Sequence, residues 1–255
     1  MLIALVGNAG SGKDTVGKIV ADNTNARLYA FADPMKELIS AIFGFTDLQL
    51  WGPSEQRNQP DFRYGRKWWE FWRRESVARQ HRAAMYAVRT RGEETVCDLL
   101  PGRTRSDVHA AYASLVDWCQ EILTCALEDG YLTPRKTLQS LGTEWGRSID
   151  PDMWWRFTLA HIRRDQALHA VVTDCRFVNE AEGVRVIDGG LVWRVGRPGC
   201  GGGAGVSGGI SGHASELEQN SAGMDAWITS EIDNSGSLLD LRGVVVRELR
   251  RVALC

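Results

Sequence analysis

A run of nine residues near the start of the chain has the types and spacing to hold phosphate. Gly7-Asn8-Ala9-Gly10-Ser11-Gly12-Lys13 matches G-x-x-x-x-G-K, and Asp14 and Thr15 follow. Glycines at these places let the backbone curl so that successive N–H groups face phosphate oxygens. Lys13 adds a cation long enough to reach the β- and γ-phosphates of a nucleoside triphosphate. A helix beginning here would direct its positive end at the same point. Asn8, Ala9, Gly10, Ser11, Gly12, Lys13, Asp14 and Thr15 are therefore the candidate triphosphate-binding residues. The general motif has Ser or Thr directly after the lysine, as a magnesium ligand. Here Asp14 stands there and Thr15 comes one later. The competing reading is a glycine-rich turn with an incidental lysine, and the flanking sequence speaks against it.

That flanking sequence supplies the elements such a loop needs. Leu2–Val6 is a short, continuously apolar run, which reads as a buried strand and not as a signal peptide. A helical pattern runs from Thr15 to Asn23. Residues 27–32 (RLYAFA) read as a second strand. Asp33 then offers an N-cap with Pro34 at the first helical position, and Met35, Leu38, Ile39 and Ile42 have helical spacing up to Gly44. Residues 107–129 predict an amphipathic helix with Ala111, Leu115, Trp118, Ile122 and Cys125 on one face. Further helices are expected over 134–146, 151–164 and 177–187, the last with Val184 and Ile187 inward. Strands are expected at 170–173, 191–195 and 244–249. Strands alternating with helices predict an α/β fold with a central, mostly parallel sheet flanked by helices. The expected division is a core of 1–52 and 131–255, with 53–130 as a mainly helical, Trp/Arg-rich insertion.

The bulk numbers fit such a protein. The chain has 255 residues, 30 Lys+Arg against 32 Asp+Glu, 44% hydrophobic and 24% charged residues. A net charge of −2 gives no global case for nucleic-acid or anionic-membrane binding. No apolar stretch reaches the roughly 18 residues of a membrane span. The six cysteines form no C-x-x-C pair, as expected of free thiols in a cytoplasm, and zinc is not expected. His81, His109, His161 and His169 show no metal-ligand spacing. Gly205-Val206-Ser207-Gly208-Gly209 is formally G-x-S-x-G, but no apolar strand runs into it, so a hydrolase elbow is rejected.

Several stretches together resemble the phage-type deoxynucleoside monophosphate kinases. They are G-N-A-G-S-G-K-D-T at 7–15, F-A-D-P-M-K-E-L at 31–38 and T-P-R-K-T-L-Q-S-L-G-T-E-W-G-R at 133–147. D-x-W at 152–154, T-D-C-R-F-x-N-E-A-E at 173–182 and H-x-S-E at 213–216 complete the pattern. The G-K-x-T form of the loop is similar to that of nucleoside monophosphate kinases, where the metal relies more on water and phosphate. The resemblance implies a P-loop kinase fold, ATP and Mg2+, and phosphoryl transfer to a deoxynucleoside 5′-monophosphate in the (host) cytoplasm. Such transfer needs two anions held in line with their charge neutralised. Lys13 serves the donor. Lys36 suits the acceptor phosphate, and Arg135, Arg147 and Arg176 suit an acceptor or transition-state clamp; each is otherwise a solvated charge. Asp174 ends an apolar strand and, with Thr15, is the candidate for holding magnesium through water, or else pairs with Arg176. Lys13, Asp174 and Arg176 are thus the catalytic candidates. Asp33 is a helix cap, a contact to the acceptor sugar or phosphate, or both. Gln139, Gly142, Thr143 and Trp154 are candidates for a base pocket, with core packing the alternative for Trp154.

Two segments keep their alternatives. Between 55 and 105, twelve Arg+Lys face seven Asp+Glu, and Trp68, Trp69, Phe71 and Trp72 lie among the basic residues. This block suits nucleic-acid binding, a homodimer surface, or acceptor binding through Arg66 or Lys67. Residues 199–212 hold eight glycines in fourteen. They form a flexible loop, either a lid carrying Arg194 and Arg197 over the donor or an insertion without function. The functional alternatives to a deoxynucleoside monophosphate kinase are another small-metabolite kinase (on dephospho-coenzyme A or phosphomevalonate) and a nucleic-acid-stimulated ATPase.

Overall fold

The computed structural model describes residues 1–65, 74–200 and 217–253. Residues 66–73, with Trp68, Trp69, Phe71 and Trp72 of the Trp/Arg block, 201–216, with most of the glycine run, and 254–255 lie outside the described residues. The chain divides into two compact units, Met1–Phe31 with Thr158–Cys255, and Ala32–Phe157. The expected division fell at 52/53 and 130/131 instead.

The first unit is built on a five-stranded, all-parallel sheet. Its strands are β1 (Leu2–Val6), β2 (Arg27–Tyr29), β3 (Ala170–Val172), β4 (Gly190–Gly196) and β5 (Ser230–Asp233), in the order β2-β3-β1-β4-β5. Central β1 pairs Leu2 with Ala170 on one side and with Gly190 on the other. All five of its residues are buried, which is why its sequence is a continuous apolar run rather than an alternation. Helix α1 (Lys13–Thr24) covers the sheet with Val16, Ile19 and Val20, which join Ile3, Leu5, Val171, Trp193 and Val195 in one core. The last helix of the chain (Leu238–Ala253) adds Leu241, Val245 and Leu249 to that core.

That last helix corrects an expectation. Residues 244–249 are helical, and the fifth strand is Ser230–Asp233. The β-branched run Val244-Val245-Val246 suggested a strand. The helical spacing of Leu241, Val245 and Leu249 decides the outcome, with Asp240 accepting from the N–H and hydroxyl of Ser237 at the helix start. The strand was missed because only Ile232 of its four residues is buried. Strand β2 is also shorter than the expected 27–32.

The second unit is helical: α2 (Asp33–Phe43), α3 (Asp47–Trp51), α4 (Ser54–Asn58), α5 (Arg74–Leu99), α6 (Arg105–Asp129), α7 (Pro134–Gln139) and α8 (Arg147–Ile149), with the start of α9 (Met153–Arg164). Helix α6 starts at a capping box, Thr104 with Asp107, and ends at Gly130, whose φ of 82° suits glycine. It buries Ala111, Leu115, Trp118 and Ile122 as expected, while Cys125 is half-buried. The Phe43 ring meets Tyr64 and Trp118 edge-on, at centroid distances of 5.7 and 6.1 Å. This packing explains why α2 belongs with the helical unit rather than with the sheet. The expected helix over 134–146 widens after Gln139 into a π-helical segment, Ser140–Gly146. Helix α10 is Val178–Arg185, where Val184 is buried and Ile187 half-buried. Among the described residues, no helix is long and apolar enough to cross a membrane.

Candidate functional site

In the first unit, β1 runs straight into the glycine loop and α1 starts at its end. Gly7, Gly10 and Gly12 have φ of 151°, 80° and 97°, backbone that a side chain would strain. The loop closes on itself through the Ser11 N–H, which donates to the Asn8 carbonyl at 3.1 Å. Lys13 donates from Nζ to the carbonyls of Gly7 and Asn8, at 2.5 and 2.9 Å. Its ammonium therefore lies folded along the loop that it serves. Burial, and next the cation of Arg176, bring its pKa down to about 8; Asp14 and Asp174 pull the other way.

Asp174 lies two residues beyond β3, and its Oδ1 accepts from the Phe31 N–H at 2.6 Å. That bond ties the end of β3 to the chain leaving β2. The Arg176 N–H donates to Glu180 at 2.9 Å, and its guanidinium pairs with no carboxylate among the described residues. Arg176 and Asp174 thus both lie close enough to Lys13 in the first unit to act on its charge. Asn8 is held from the side: its Oδ1 accepts from Gln219 at 3.1 Å and from Asn220 at 3.0 Å. Arg194, a candidate for a lid over the donor, is ion-paired within the sheet unit. It sits on β4 with its guanidinium 2.6 Å from Asp225 and 3.8 Å from Glu231. Arg197 is exposed, one residue past β4.

In the second unit, the residues expected on the acceptor side fall into two groups. At the start of α2, Asp33 is the first helical residue and Ala32 the N-cap, so the Asp33 carboxylate does not cap the helix. It accepts instead from Lys36 Nζ at 3.0 Å and from Trp51 Nε1 at 3.1 Å. The Lys36 ammonium also stands 5.7 Å from the centre of the Trp51 ring. Trp51 is 43% exposed, and an open cleft of about 330 Å³ lies against it and Asp47. The sequence assigns Trp51 no role, because it stands fifteen residues from Lys36 and only the fold brings the two together.

The second group surrounds the π-helical segment. Arg135 donates from Nε to Asn58 Oδ1, and Arg147 from Nη1 to the Pro151 carbonyl at 3.3 Å. Among the described residues, the buried Oε1 of Gln139 meets no hydrogen-bond donor. Such an acceptor is costly to leave unmade and suits a ligand N–H. Gly142 is buried and Thr143 half-buried. Trp154 is only 3% exposed. Its Nε1 donates to the Gly142 carbonyl at 3.1 Å, and its ring covers Gly146 so closely that a Cβ there would lie 2.2 Å from Cζ2. Burial this deep among the described residues favours the core-packing alternative for Trp154 over stacking on a base. Arg66 and Lys67 lie outside the described residues, as does His213.

Among the described residues, no group of three or more His, Cys, Asp or Glu could by itself hold a metal. The five described cysteines are free thiols. Burial pushes the Cys119 thiol up to about 12 and the Cys175 thiol well above its ordinary value, which makes both poor nucleophiles.

Comparison with known proteins places the chain. Residues 1–200 match the family model described as deoxynucleotide monophosphate kinase. A deoxynucleoside-5′-monophosphate kinase of Escherichia phage T5 is 32% identical over a 197-residue alignment covering 72% of each chain. A protein of Acanthamoeba polyphaga mimivirus, provisionally named a deoxynucleotide monophosphate kinase, is 38% identical over 64 residues, 25% of this chain and 33% of that one.

Proposed function

The chain belongs to the deoxynucleotide monophosphate kinase family, and on that premise we propose that it transfers the γ-phosphoryl group of ATP to a deoxynucleoside 5′-monophosphate, giving the diphosphate and ADP. The observation that carries this reading is the loop itself. A glycine cradle with Lys13 folded along it, and Asp174 and Arg176 within reach of its charge, is what a triphosphate donor requires. The names of both relatives speak for a nucleotide acceptor rather than dephospho-coenzyme A or phosphomevalonate, or a nucleic-acid-stimulated ATPase.

In the proposed mechanism, the N–H groups of the loop and Lys13 bind the donor phosphates. Binding draws Lys13 from the Gly7 and Asn8 carbonyls onto the anion and restores its pKa, since phosphate replaces the lost hydration. Arg176 stabilises the charge that develops on the transferred group. Lys36 binds the acceptor phosphate after leaving Asp33, whose carboxylate is then free for the sugar or for orienting the phosphate. Arg66, Lys67, Arg135 and Arg147 are the further acceptor cations, and Gln139 with the Gly142–Thr143 backbone reads the base.

Magnesium suits the residues present. This ion usually takes one or two carboxylates plus substrate phosphates rather than a protein cage, and Asp174 with Thr15 offers that kind of incomplete donor set. Bound there through water, it would supply charge neutralisation to the β- and γ-oxygens. The T5 relative favours action in a bacterial host's cytoplasm, in supply of DNA precursors. The Trp/Arg composition also suits a homodimer surface, and sedimentation of the purified protein would check it.

Lys36→Ala and Arg176→Ala separate the two sides. Lys36→Ala should raise KM for the monophosphate at least tenfold while leaving KM for ATP within about twofold. Arg176→Ala should lower kcat more than either KM. Loss of ATP affinity alone in Lys36→Ala would put Lys36 on the wrong side of the reaction.

A further inference from the structure

The family match ends at residue 200, yet three side chains beyond it hold the donor loop. Asn234 follows β5 directly. Its N–H donates to the Gly196 carbonyl at 2.8 Å and so extends the pairing of β5 with β4. Its backbone is thereby fixed, and the residue is only 8% exposed. The carboxamide points into the loop, where Nδ2 donates to the Ser11 carbonyl at 2.8 Å. The same nitrogen would lie 2.3 Å from a Cβ on Gly12. The amide thus occupies the place of a Gly12 side chain, and glycine is required there for space as well as for its φ of 97°.

A trans peptide sends its C=O and the next N–H in opposite directions. Pinning the Ser11 carbonyl toward Asn234 therefore turns the Gly12 N–H away from it. The Gly12 carbonyl in turn accepts the first bond of α1, from the Val16 N–H at 2.9 Å. Both ends of Gly12 are then set before any ligand arrives. On the opposite part of the loop, Gln219 (4% exposed) and Asn220 fix Asn8 through its Oδ1. Neutral amides suit this task, because a carboxylate would repel the donor phosphates and a cation would compete with Lys13 for them.

We propose that Asn234 is a positioning residue of the phosphate loop. By holding the Ser11 carbonyl it presets the Gly12 N–H toward the donor phosphates, and Gln219 and Asn220 brace the loop at Asn8. This rests on the kinase reading above. Preset donors are not reorganised at the moment of reaction, so the effect belongs to ATP binding and turnover and not to the acceptor.

The test is Asn234→Leu, which keeps the volume but has no donor, beside Asn234→Ala. Both KM values, kcat and Tm are measured with ATP, magnesium and a deoxynucleoside monophosphate. The expected result for Asn234→Leu is a tenfold or larger rise in KM for ATP and a fall in kcat, with KM for the monophosphate within twofold and Tm within a few degrees. An ATP KM like that of the native protein, or equal rises in both KM values that follow Tm, would overturn the proposal. If neither variant folds, the native protein is titrated with a non-hydrolysable ATP analogue and followed by amide NMR. A large shift of the Gly12 N–H with the Asn234 side-chain amide unshifted supports it, and an unmoved Gly12 N–H overturns it. Native protein that phosphorylates no monophosphate would instead refute the kinase reading.

Discussion

Lys13 is a cation held ready at a cost to the fold. Its pKa of about 8 lies below the ordinary 10.5, so its charged form disfavours the empty folded state at neutral pH by on the order of 3 kcal/mol. Lys13→Met should therefore lower kcat about a thousandfold or more while leaving the ligand-free Tm unchanged or higher. Calorimetry beside kinetics checks this, and a large loss of Tm would contradict it. The pH dependence has two parts. Below pH 8 the ammonium is present in folded and unfolded protein alike. Between pH 8 and 10.5 the unfolded chain binds the extra proton, so this group makes the folded state relatively more stable as pH rises. Over the same range the free enzyme loses the cation assigned to the ATP phosphates. kcat/KM for ATP should thus fall above about pH 8, approaching tenfold per unit, and Lys13→Met should lose both trends.

At the scale of elements, the π-helical segment Ser140–Gly146 shows how one widened turn is held. The Trp118 indole donates to Ser140 Oγ at 2.9 Å, and that hydroxyl donates to Glu144 at 2.5 Å. Trp154 closes the other side against Gly142 and Gly146. Wide turns of this kind often mark functional sites, and this one directly follows Gln139 and carries Gly142 and Thr143. Gly146→Ala should cost about 2–3 kcal/mol by overpacking against Trp154 and should raise KM for the monophosphate before KM for ATP. Equal effects on both substrates would argue against a base-reading role for the turn. The widening was not legible in the sequence, since 134–146 has an ordinary helical pattern and only its two glycines hint at close approach. The phosphate loop was legible because its chemistry is local: glycines, lysine, strand and helix are adjacent in the chain. Asn234, Gln219 and Asn58 were not, because each acts on a residue far away in sequence. β5 escaped because an edge strand with one buried residue carries no periodic signal.

For the whole molecule, the sheet unit carries the loop assigned to the donor and the helical unit carries the residues assigned to the acceptor. A cation set belongs to each: Lys13 and Arg176 in the first, Lys36, Arg135 and Arg147 in the second. Ligands should therefore stabilise the units differently, with an ATP analogue raising amide protection around residues 7–15 and a monophosphate around 33–36 and 135–143, as read by hydrogen exchange. Phosphoryl transfer to a deoxynucleoside monophosphate is read out by ADP release with ATP and magnesium. Each of dAMP, dCMP, dGMP and dTMP, the matching ribonucleotides and DNA is added separately, with Lys13→Met as control. The expected result is release stimulated by one or more deoxynucleoside monophosphates and abolished in the variant. Release that rises with DNA and with no monophosphate, or stimulation that survives in Lys13→Met, would contradict the account.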